Sequence, residues 1–150
     1  MMDKKDLKID FGCGIDKAPG HVGVDICPNS QADVIHNLEE TPYPFDDNSA
    51  VEIHSDHNIE HLSDLDIFLK EVHRIGEPGA ILTIKFPHYS RSWFSTQHKR
   101  AYGIRLFNDY KKEFEVKSIK FKYKHYTWRS WFWPFCVVVD FFANLSPRFC

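Results

Sequence analysis

The feature of this sequence that most constrains its fold is a short apolar run that ends directly in a pair of glycines. Residues 7–11 alternate in polarity, which predicts a β-strand, and Gly12 and Gly14 follow at once. Glycine adopts the backbone angles of a tight turn and lets a ligand approach the main chain. A second short strand is predicted at residues 22–26, so the glycine turn lies between two strands.

Further apolar runs predict the other elements. Strands are expected at residues 32–38, 51–55 and 81–86, and the last is apolar enough to be buried on both faces. Apolar residues recur at helical spacing from position 65 to position 72, and Ser63 is the expected N-cap of that helix. Strands mixed with a helix predict a three-layer α/β sandwich with a mainly parallel sheet. The length of 150 residues predicts a single domain.

The second half of the chain is less regular. Residues 88–112 are rich in His, Arg, Tyr and Ser and predict a long functional loop. Residues 114–124 alternate between apolar side chains and lysines, which predicts a strand near a sheet edge. The aromatic stretch 128–142 is compatible with a buried strand or helix, an interface in a homodimer, or peripheral contact with a membrane. Its charged residues argue against a membrane span.

Charge is distributed unevenly along the chain. Residues 1–80 carry 17 acidic residues against 6 Lys and Arg, whereas residues 81–150 carry 13 Lys and Arg against 4 acidic residues. The net charge of the whole chain is only −2, which does not suggest a protein that binds polyanions through its overall charge. The basic second half nevertheless indicates an anionic partner.

The cysteines indicate the compartment. None of the four cysteines forms a C-x-x-C pair, and the sequence has no dense disulfide framework. The chain starts with charged residues rather than with an apolar signal run. A reduced, cytoplasmic protein is therefore expected.

The predicted carboxyl ends of the strands carry the residues that suggest a function. The first strand ends in a glycine turn, and the second ends in Asp25, an acid that could accept both hydroxyls of a ribose. The third strand ends in the polar Asn37. Together these features predict a site for a nucleoside cofactor.

These segments resemble the class I S-adenosylmethionine-dependent methyltransferases. The resemblance extends from about Lys8 to His88, over half the chain, and the order of its weak motifs is more specific than any single motif. The matching segments are residues 9–14, 23–26, 42–49, 59–62 and 71–80.

The resemblance implies a Rossmann-like fold, S-adenosylmethionine as cofactor, and different roles for the two parts of the domain. Residues 1–87 would bind the cofactor, while residues 88–150 would bind the substrate and close the sheet. The implied cofactor contacts are Asp10, Gly12, Cys13, Gly14, Asp25, Ile26, Asn37, Leu38 and Asp56. An acidic first half suits the cationic sulfonium of this cofactor.

Two departures from the family pattern indicate a compact form. Only ten residues separate Gly14 from Asp25, so the first crossover helix is expected to be missing or reduced to a loop. A compact branch of the family, often found with surface-sugar biosynthesis, looks similar here. After residue 110 only one of the family's last antiparallel strands is evident, so the fold is expected to be compact or incomplete at its C-terminal side.

Histidines after the fourth strand have two interpretations. His57-Asn58-Ile59-Glu60-His61 matches the H-x-x-E-H pattern of some zinc proteases, in which a helix puts both histidines on one face. No third ligand is evident, and the family places Glu-His here on a turn, so no metal is predicted. His57 is instead expected to be a general base and His61 a substrate contact, with a purely structural role as the alternative for each.

The basic segment after the fifth strand lies where the family builds its acceptor site. His88 is expected to act there as a second base. Cationic and aromatic side chains in this segment suit an anionic acceptor or a sugar ring, and a solvated basic loop is the alternative. Together with His61, the expected substrate residues are Arg91, Trp93, His98, Arg100 and Tyr102.

Motifs that the sequence lacks argue against some classes of enzyme and substrate. The sequence lacks the Asn/Asp-Pro-Pro-Tyr motif and the Pro-Cys pair of nucleic-acid methyltransferases, so nucleic acid is not the expected partner. The leading hypothesis is methyl transfer to an oxygen or nitrogen of a small or medium-sized anionic acceptor, such as a sugar or glycan precursor. An NAD-dependent oxidoreductase is the second hypothesis, although the sequence has no Tyr-x-x-x-Lys pair. A non-catalytic Rossmann-like binding module is the third.

Overall fold

One sheet organises the computed structural model, which describes residues 7–88, 96–110, 112–123 and 135–141. The order of its strands is β3-β2-β1-β4-β5-β7-β6. In chain order the elements are β1 (Leu7–Phe11), β2 (Val22–Asp25), β3 (Val34–Ile35), β4 (Ala50–Asp56), a 3-10 helix (Ile59–His61), α1 (Leu65–Ile75), β5 (Gly76–Pro87), a second 3-10 helix (Ile104–Asn108), β6 (Ser118–Tyr123) and β7 (Phe135–Phe141).

The topology confirms the predicted α/β class and the mainly parallel sheet. Strands β3, β2, β1, β4 and β5 run parallel, and β7 pairs in antiparallel orientation with both β5 and the last strand, β6. The chain first moves outward from β1 to β3 and then returns to β4 on the other side of β1. Ligands bind at such a switch point, beyond the carboxyl ends of the strands.

Some predicted strand boundaries differ from the structure. The sequence predicts a third strand over residues 32–38, whereas β3 comprises only Val34 and Ile35. The reason is that β3 is an edge strand whose one neighbour, β2, is itself four residues long and pairs with it at two positions. In the second half, the sequence shows one closing strand clearly, whereas the structure has two, β6 and β7.

The aromatic stretch 128–142 is described only from Phe135 to Phe141, where it forms β7. Its pairing with β5 resolves the choice between strand and helix for these residues. The rest of the stretch lies outside the described residues. Within the described residues, no helix has the length and apolar character needed to cross a membrane.

A loop over residues 12–21 takes the place of the first crossover helix, as the sequence predicts. Phe11 packs on Phe68 of α1, with ring centroids 5.8 Å apart, so the neighbouring Asp10 faces the opposite side of the sheet. There the buried Asp10 carboxylate accepts a hydrogen bond from the backbone N–H of Ala18 at 2.8 Å and pairs with Nδ1 of His54 at 2.8 Å. A buried acid therefore fastens the loop to the sheet.

Helix α1 is capped one residue later than predicted. Asp64, not Ser63, is its N-cap, and the Asp64 carboxylate accepts the backbone N–H of Asp66 at 2.8 Å. The Ser63 hydroxyl is used elsewhere, since it accepts a hydrogen bond from Nζ of Lys99 at 2.9 Å. The predicted apolar stripe of the helix is buried against the sheet, and the helix ends at Gly76.

Helix α1 also holds the loop that follows β3. The backbone N–H of the buried Tyr43 donates to Oε2 of Glu71 at 2.6 Å, and the Tyr43 hydroxyl donates to the Leu38 carbonyl at 2.6 Å. Arg74 bonds both oxygens of Glu71, at 2.9 and 2.7 Å, and also donates to the carbonyl of Phe45. The Arg74 guanidinium lowers the pKa of the Glu71 carboxyl below its usual value. This network positions the loop around Leu38.

Replacing Glu71 by alanine is expected to lower the free energy of unfolding by about 2 kcal/mol, because buried charged hydrogen bonds are lost. Urea denaturation measures this change. Asp47 is the matched control, since it also pairs with Arg74 but its side chain is 68% exposed. Asp47→Ala should cost less than about 1 kcal/mol. Equal losses for the two variants would contradict the anchoring role of Glu71.

Candidate active site

Two cavities lie at the carboxyl ends of β1, β2 and β4, and Gly12 lines both. The first, called the β2 cavity here, has a volume of about 270 Å³ and includes Asp25 and Asn58 in its lining. The second, the β4 cavity, has a volume of about 220 Å³ and includes Asp56 and His57. Because they share Gly12, the two cavities suit one elongated ligand.

The predicted cofactor residues divide between these cavities. Gly12, Asp25, Ile26, Asn37 and Leu38 line the β2 cavity. Asp10, Gly12, Cys13 and Asp56 line the β4 cavity. The backbone N–H of the remaining residue, Gly14, donates to Oδ2 of Asp25 at 2.9 Å. All the predicted cofactor residues thus lie at one edge of the sheet.

Backbone donors fix the Asp25 carboxylate in the β2 cavity. Oδ2 accepts the N–H of Gly14, and Oδ1 accepts the N–H of Cys27 at 2.8 Å. Each carboxylate oxygen has a second lone pair, so the group can still accept hydrogen bonds from a ligand. The next side chain, Ile26, is 62% exposed and offers an apolar surface beside the acid. An acid next to an exposed apolar side chain suits a ribose and the base attached to it.

The turn at Gly12 requires glycine for two independent reasons. Its φ is +70°, in the left-handed region, and a Cβ there would lie 2.4 Å from Cγ of Asn58. Asn58 is held in place because its Nδ2 donates to Oγ of Ser55 at 3.1 Å, and Ser55 donates to the Phe11 carbonyl at 3.1 Å. At Gly14 φ is +53°, but a Cβ would meet no atom within 4 Å.

The β4 cavity is acidic. Asp10, Asp16 and Asp56 all contribute to its lining. The Asp10 carboxylate is hydrogen-bonded to Ala18 and His54, and the Asp56 carboxylate pairs with Nζ of Lys85 at 2.9 Å. Burial, together with the nearby Asp10, raises the pKa of the Cys13 thiol to about 11, so this thiol is protonated at neutral pH. Cys13 is therefore not a nucleophile there. The three carboxylates in the lining favour a ligand group that carries positive charge.

His57 lines the β4 cavity with its backbone in the left-handed region, at φ +51°. Its Nδ1 lies 3.0 Å from Oε1 of the fully buried Glu60, and this hydrogen bond raises the pKa of His57 above its usual value. Residues Ile59–His61 form a 3-10 helix, so His57 and His61 do not share the face of an α-helix. The helical geometry of the zinc-protease motif is therefore absent.

Two predicted substrate residues, His61 and His98, lie together. His61 lines the β2 cavity, and its ring centroid is 5.0 Å from that of His98. The segment carrying His98 is fixed because the backbone N–H groups of Lys99 and Arg100 donate to the Glu60 carbonyl, at 2.8 and 3.2 Å. Residues far apart in the chain are thereby brought to one side of the cavity.

The other predicted acceptor-site residues are placed differently. His88 and Tyr102 form an isolated parallel bridge just beyond β5. Tyr102 packs on Phe86, with ring centroids 6.1 Å apart, and its burial raises the pKa of its hydroxyl. Its ring therefore belongs to the core rather than to an open stacking surface. Arg91 and Trp93 lie outside the described residues.

Several lining residues are not among the predicted cofactor and substrate contacts. The additional members of the β2 cavity are His36, Glu39, Asn58, Leu62 and Lys99, and Asp16 is the additional member of the β4 cavity. Asn58 and His36 follow predicted strands and could be found from that position alone. Lys99 belongs to the basic segment that the sequence marks as a candidate anion site, but its place in this cavity depends on a long-range ion pair with Glu39, at 2.8 Å.

Solved structures share this fold at low sequence identity. A methyltransferase from Methanosarcina mazei has a TM-score of 0.68 and 15% identity, covering 97% of this chain and 95% of its own. A possible histamine N-methyltransferase from Thermotoga maritima has a TM-score of 0.69 and 17% identity, covering 92% and 82%. Geranyl diphosphate C-methyltransferase from Streptomyces coelicolor, solved with Mg²⁺, geranyl diphosphate and S-adenosylhomocysteine, has a TM-score of 0.71 and 12% identity, covering 94% and 73%. No curated protein matches the sequence.

Gly12→Ala is expected to abolish detectable binding of S-adenosylhomocysteine in a calorimetric titration, because the new Cβ collides with Asn58 in the shared wall of both cavities. Gly14→Ala is the matched control, since it adds similar backbone strain, about 1–2 kcal/mol, without a collision. The control should bind more tightly than Gly12→Ala. Equal affinities would show that the contact with Asn58 does not matter.

Asp25→Ala is expected to weaken binding of S-adenosylhomocysteine at least tenfold, since a charged hydrogen bond contributes about 1.5–3 kcal/mol. Asp33→Ala serves as the control. Its carboxylate also fixes the backbone of β2, accepting the N–H of Gly23 at 2.8 Å, but it does not line the β2 cavity. If both variants lose affinity to the same extent, the effect of Asp25 is only structural.

The family assignment follows from the sequence match together with this geometry. A methyltransferase domain model matches residues 9–84, which includes part of β1, strands β2 to β4, helix α1 and most of β5. The matched segment carries all the residues that line the β4 cavity and all those of the β2 cavity except Lys99. This match selects the methyltransferase among the three hypotheses that the sequence leaves open. The chain belongs to the methyltransferase domain family and is a class I S-adenosylmethionine-dependent methyltransferase.

Proposed function

We propose that the methyl acceptor is an oxygen or nitrogen of a small or medium-sized anionic molecule, such as a sugar or glycan precursor. The observation that carries this proposal is the docking of residues 98–100 against the Glu60 carbonyl, which puts Lys99 into the lining of the β2 cavity. Arg100 adjoins it, with an exposed side chain. Lys99 is paired with Glu39, so in this proposal the exposed Arg100 supplies the attraction for a phosphate or carboxylate of the acceptor.

The two cavities support one orientation of the cofactor. When bound, S-adenosylmethionine supplies an activated methyl group on a cationic sulfonium. In our proposal Asp25 accepts hydrogen bonds from the ribose, and Ile26, Asn37 and Leu38 surround the base in the β2 cavity. The acidic β4 cavity receives the cationic amino-acid end, beside Asp56. Gly12 lies between them, where a side chain would separate the two halves of the site.

Two histidines are proposed to receive the proton that the acceptor loses. His57 lines the β4 cavity, and the contact of its Nδ1 with Glu60 leaves Nε2 for this exchange. His88 follows β5 and is tied to Tyr102 by a backbone bridge. Their main contribution beyond proton transfer is to position the acceptor in line with the methyl group. His61, His98 and Arg100 are proposed to bind the acceptor, and Tyr102 to support the wall behind it.

The other parts of the proposal concern partners and location. The free thiols of Cys13 and Cys27 favour a reducing compartment, for which we propose the cytoplasm. A homodimer interface and a peripheral membrane contact remain proposals for the aromatic stretch 128–142. The acceptor is proposed to be a small molecule and not a nucleic acid, because nucleic-acid methyltransferase motifs are absent from the sequence.

A methyl-transfer assay with isotopically labelled S-adenosylmethionine tests the acceptor class. The substrates are matched sugars that carry a phosphate, a carboxylate or no charge. The anionic sugars are expected to be methylated with a lower KM than the neutral sugar, because the guanidinium of Arg100 attracts their negative charge. Equal or better use of the neutral sugar would contradict the proposal.

Variants in the same assay separate the proposed roles. Arg100→Gln should raise the KM for the anionic sugars, whereas Arg105→Gln, another exposed arginine, should not. His88→Ala should lower kcat and leave the affinity for S-adenosylhomocysteine unchanged. Loss of both turnover and cofactor binding in His88→Ala would assign His88 a structural role.

A further inference from the structure

We propose that Glu60, His61 and His98 form a binding site for a divalent transition-metal ion, with zinc as the best match. One ligand atom from each residue lies within 4.8 Å of the other two. Imidazole nitrogen and carboxylate oxygen are ordinary zinc ligands, at about 2.0–2.2 Å from the ion. Small side-chain rotations would bring three atoms at these separations onto one ion.

The strongest sign of a missing partner is the carboxylate of Glu60. The side chain of Glu60 is 1% exposed, and Oε1 is contacted by Nδ1 of His57 at 3.0 Å. Its other oxygen, Oε2, is buried and has no hydrogen-bond partner in the described structure. Burying a carboxylate oxygen without a partner is costly, and buried charges are normally paired or coordinate a metal. An ion at this position would satisfy that oxygen.

The imidazole of His61 is held in an orientation that suits a metal ligand. Its Nδ1 lies 3.1 Å from the backbone carbonyl of Gln97. A carbonyl accepts hydrogen bonds only, so Nδ1 carries the proton and Nε2 presents a lone pair. Metal-binding histidines commonly donate their second N–H to a carbonyl or a carboxylate in this way.

His98 is brought to the site by backbone hydrogen bonds and not by chance contact of a mobile side chain. The N–H groups of Lys99 and Arg100 both donate to the carbonyl of Glu60, the residue that supplies the buried carboxylate. Nε2 of His98 then lies 4.0 Å from Oε1 of Glu60. A segment 37 positions after His61 thus supplies a ligand that joins Glu60 and His61.

The charges around the cluster are compatible with a cation. Nζ of Lys99 is the nearest ammonium in sequence, but it is paired with Oε1 of Glu39 at 2.8 Å and bonded to Ser63. Arg100 is exposed, and the imidazole of His57 is bonded to Glu60. A histidine binds zinc as the neutral imidazole, so zinc binding releases any proton that the ligand nitrogen carries.

The geometry leaves at least one coordination position without a protein ligand. Zinc is usually four-coordinate, and sites with three protein ligands hold water or substrate in the fourth position. His61 also lines the β2 cavity, so the open position lies beside the proposed acceptor site. An ion there would add positive charge next to an anionic acceptor. Binding of the metal itself does not depend on the proposed function.

Calorimetric titration of zinc into the tag-free, chelator-treated protein tests this site. One ion is expected to bind per chain, and His61→Ala, His98→Ala and Glu60→Gln should each raise Kd at least tenfold. Losing even a hydrogen-bond partner of a metal ligand costs about 10–100-fold in affinity. His73→Ala is the matched control, because His73 is an exposed histidine on α1 outside the cluster, and it should leave Kd unchanged.

Circular dichroism of the same samples shows whether each variant is folded, and a separate titration of the intact protein with S-adenosylhomocysteine tests the cofactor assignment independently. Visible absorption after cobalt substitution should report tetrahedral coordination in the intact protein and change in His98→Ala. The proposal is overturned if the intact protein binds no stoichiometric zinc. It is also overturned if His98→Ala binds zinc as the intact protein does, or if His73→Ala loses as much affinity as His98→Ala.

Discussion

The rest of the structure depends on how the buried carboxylate of Asp10 is satisfied. Between β1 and β2 the chain has only residues 12–21, too few for a crossover helix with its connections, so this connection supplies no helix to cover the sheet. On the side of the sheet that Asp10 faces, its carboxylate makes two hydrogen bonds instead of apolar contacts with a helix. The partners are the backbone N–H of Ala18 in the loop and Nδ1 of His54 in β4. These bonds hold the loop between the strands, and the loop in turn sets the positions of Gly12 and Gly14 beside Asp25. The cofactor site is therefore built on a polar anchor.

A second constraint joins the two halves of the chain. The carbonyl of Glu60, in the 3-10 helix after β4, accepts two backbone hydrogen bonds from residues 99 and 100. The ion pair between Lys99 and Glu39 adds a side-chain link across the β2 cavity, and hydrogen bonds to Lys99 and Ser63 lower the pKa of the Glu39 carboxyl to about 2. As a result, the basic segment after β5 becomes a wall of a cavity that the acidic half otherwise forms. The uneven charge of the sequence corresponds to two sides of one site.

Sequence periodicity and strand-end residues predict the parts of the fold that depend on local chemistry. The strands at β1, β2, β4 and β5, the apolar stripe of α1 and the absent crossover helix all follow from runs of apolar residues and from short spacings. Predictions are less accurate where contacts between distant segments set the boundaries of a strand or helix. The third strand shrinks to two residues because its partner is short, and the N-cap moves to Asp64 because Ser63 is bonded to Lys99. The pairing with β5 decides that residues Phe135–Phe141 form a strand and not a helix. No local sequence pattern predicts this pairing.

The sequence by itself determined the family, the glycine turn and the acid at the end of β2, because these need particular residues at fixed short distances along the chain. Only the tertiary structure decided that the predicted cofactor residues divide between two cavities that share Gly12, and that a Cβ at Gly12 would collide with the side chain of Asn58. It alone brought His98 next to Glu60 and His61, although the sequence contains all three residues and even a metal-like motif. The physical reason is that these contacts depend on hydrogen bonds between segments nearly forty residues apart. No local spacing encodes them.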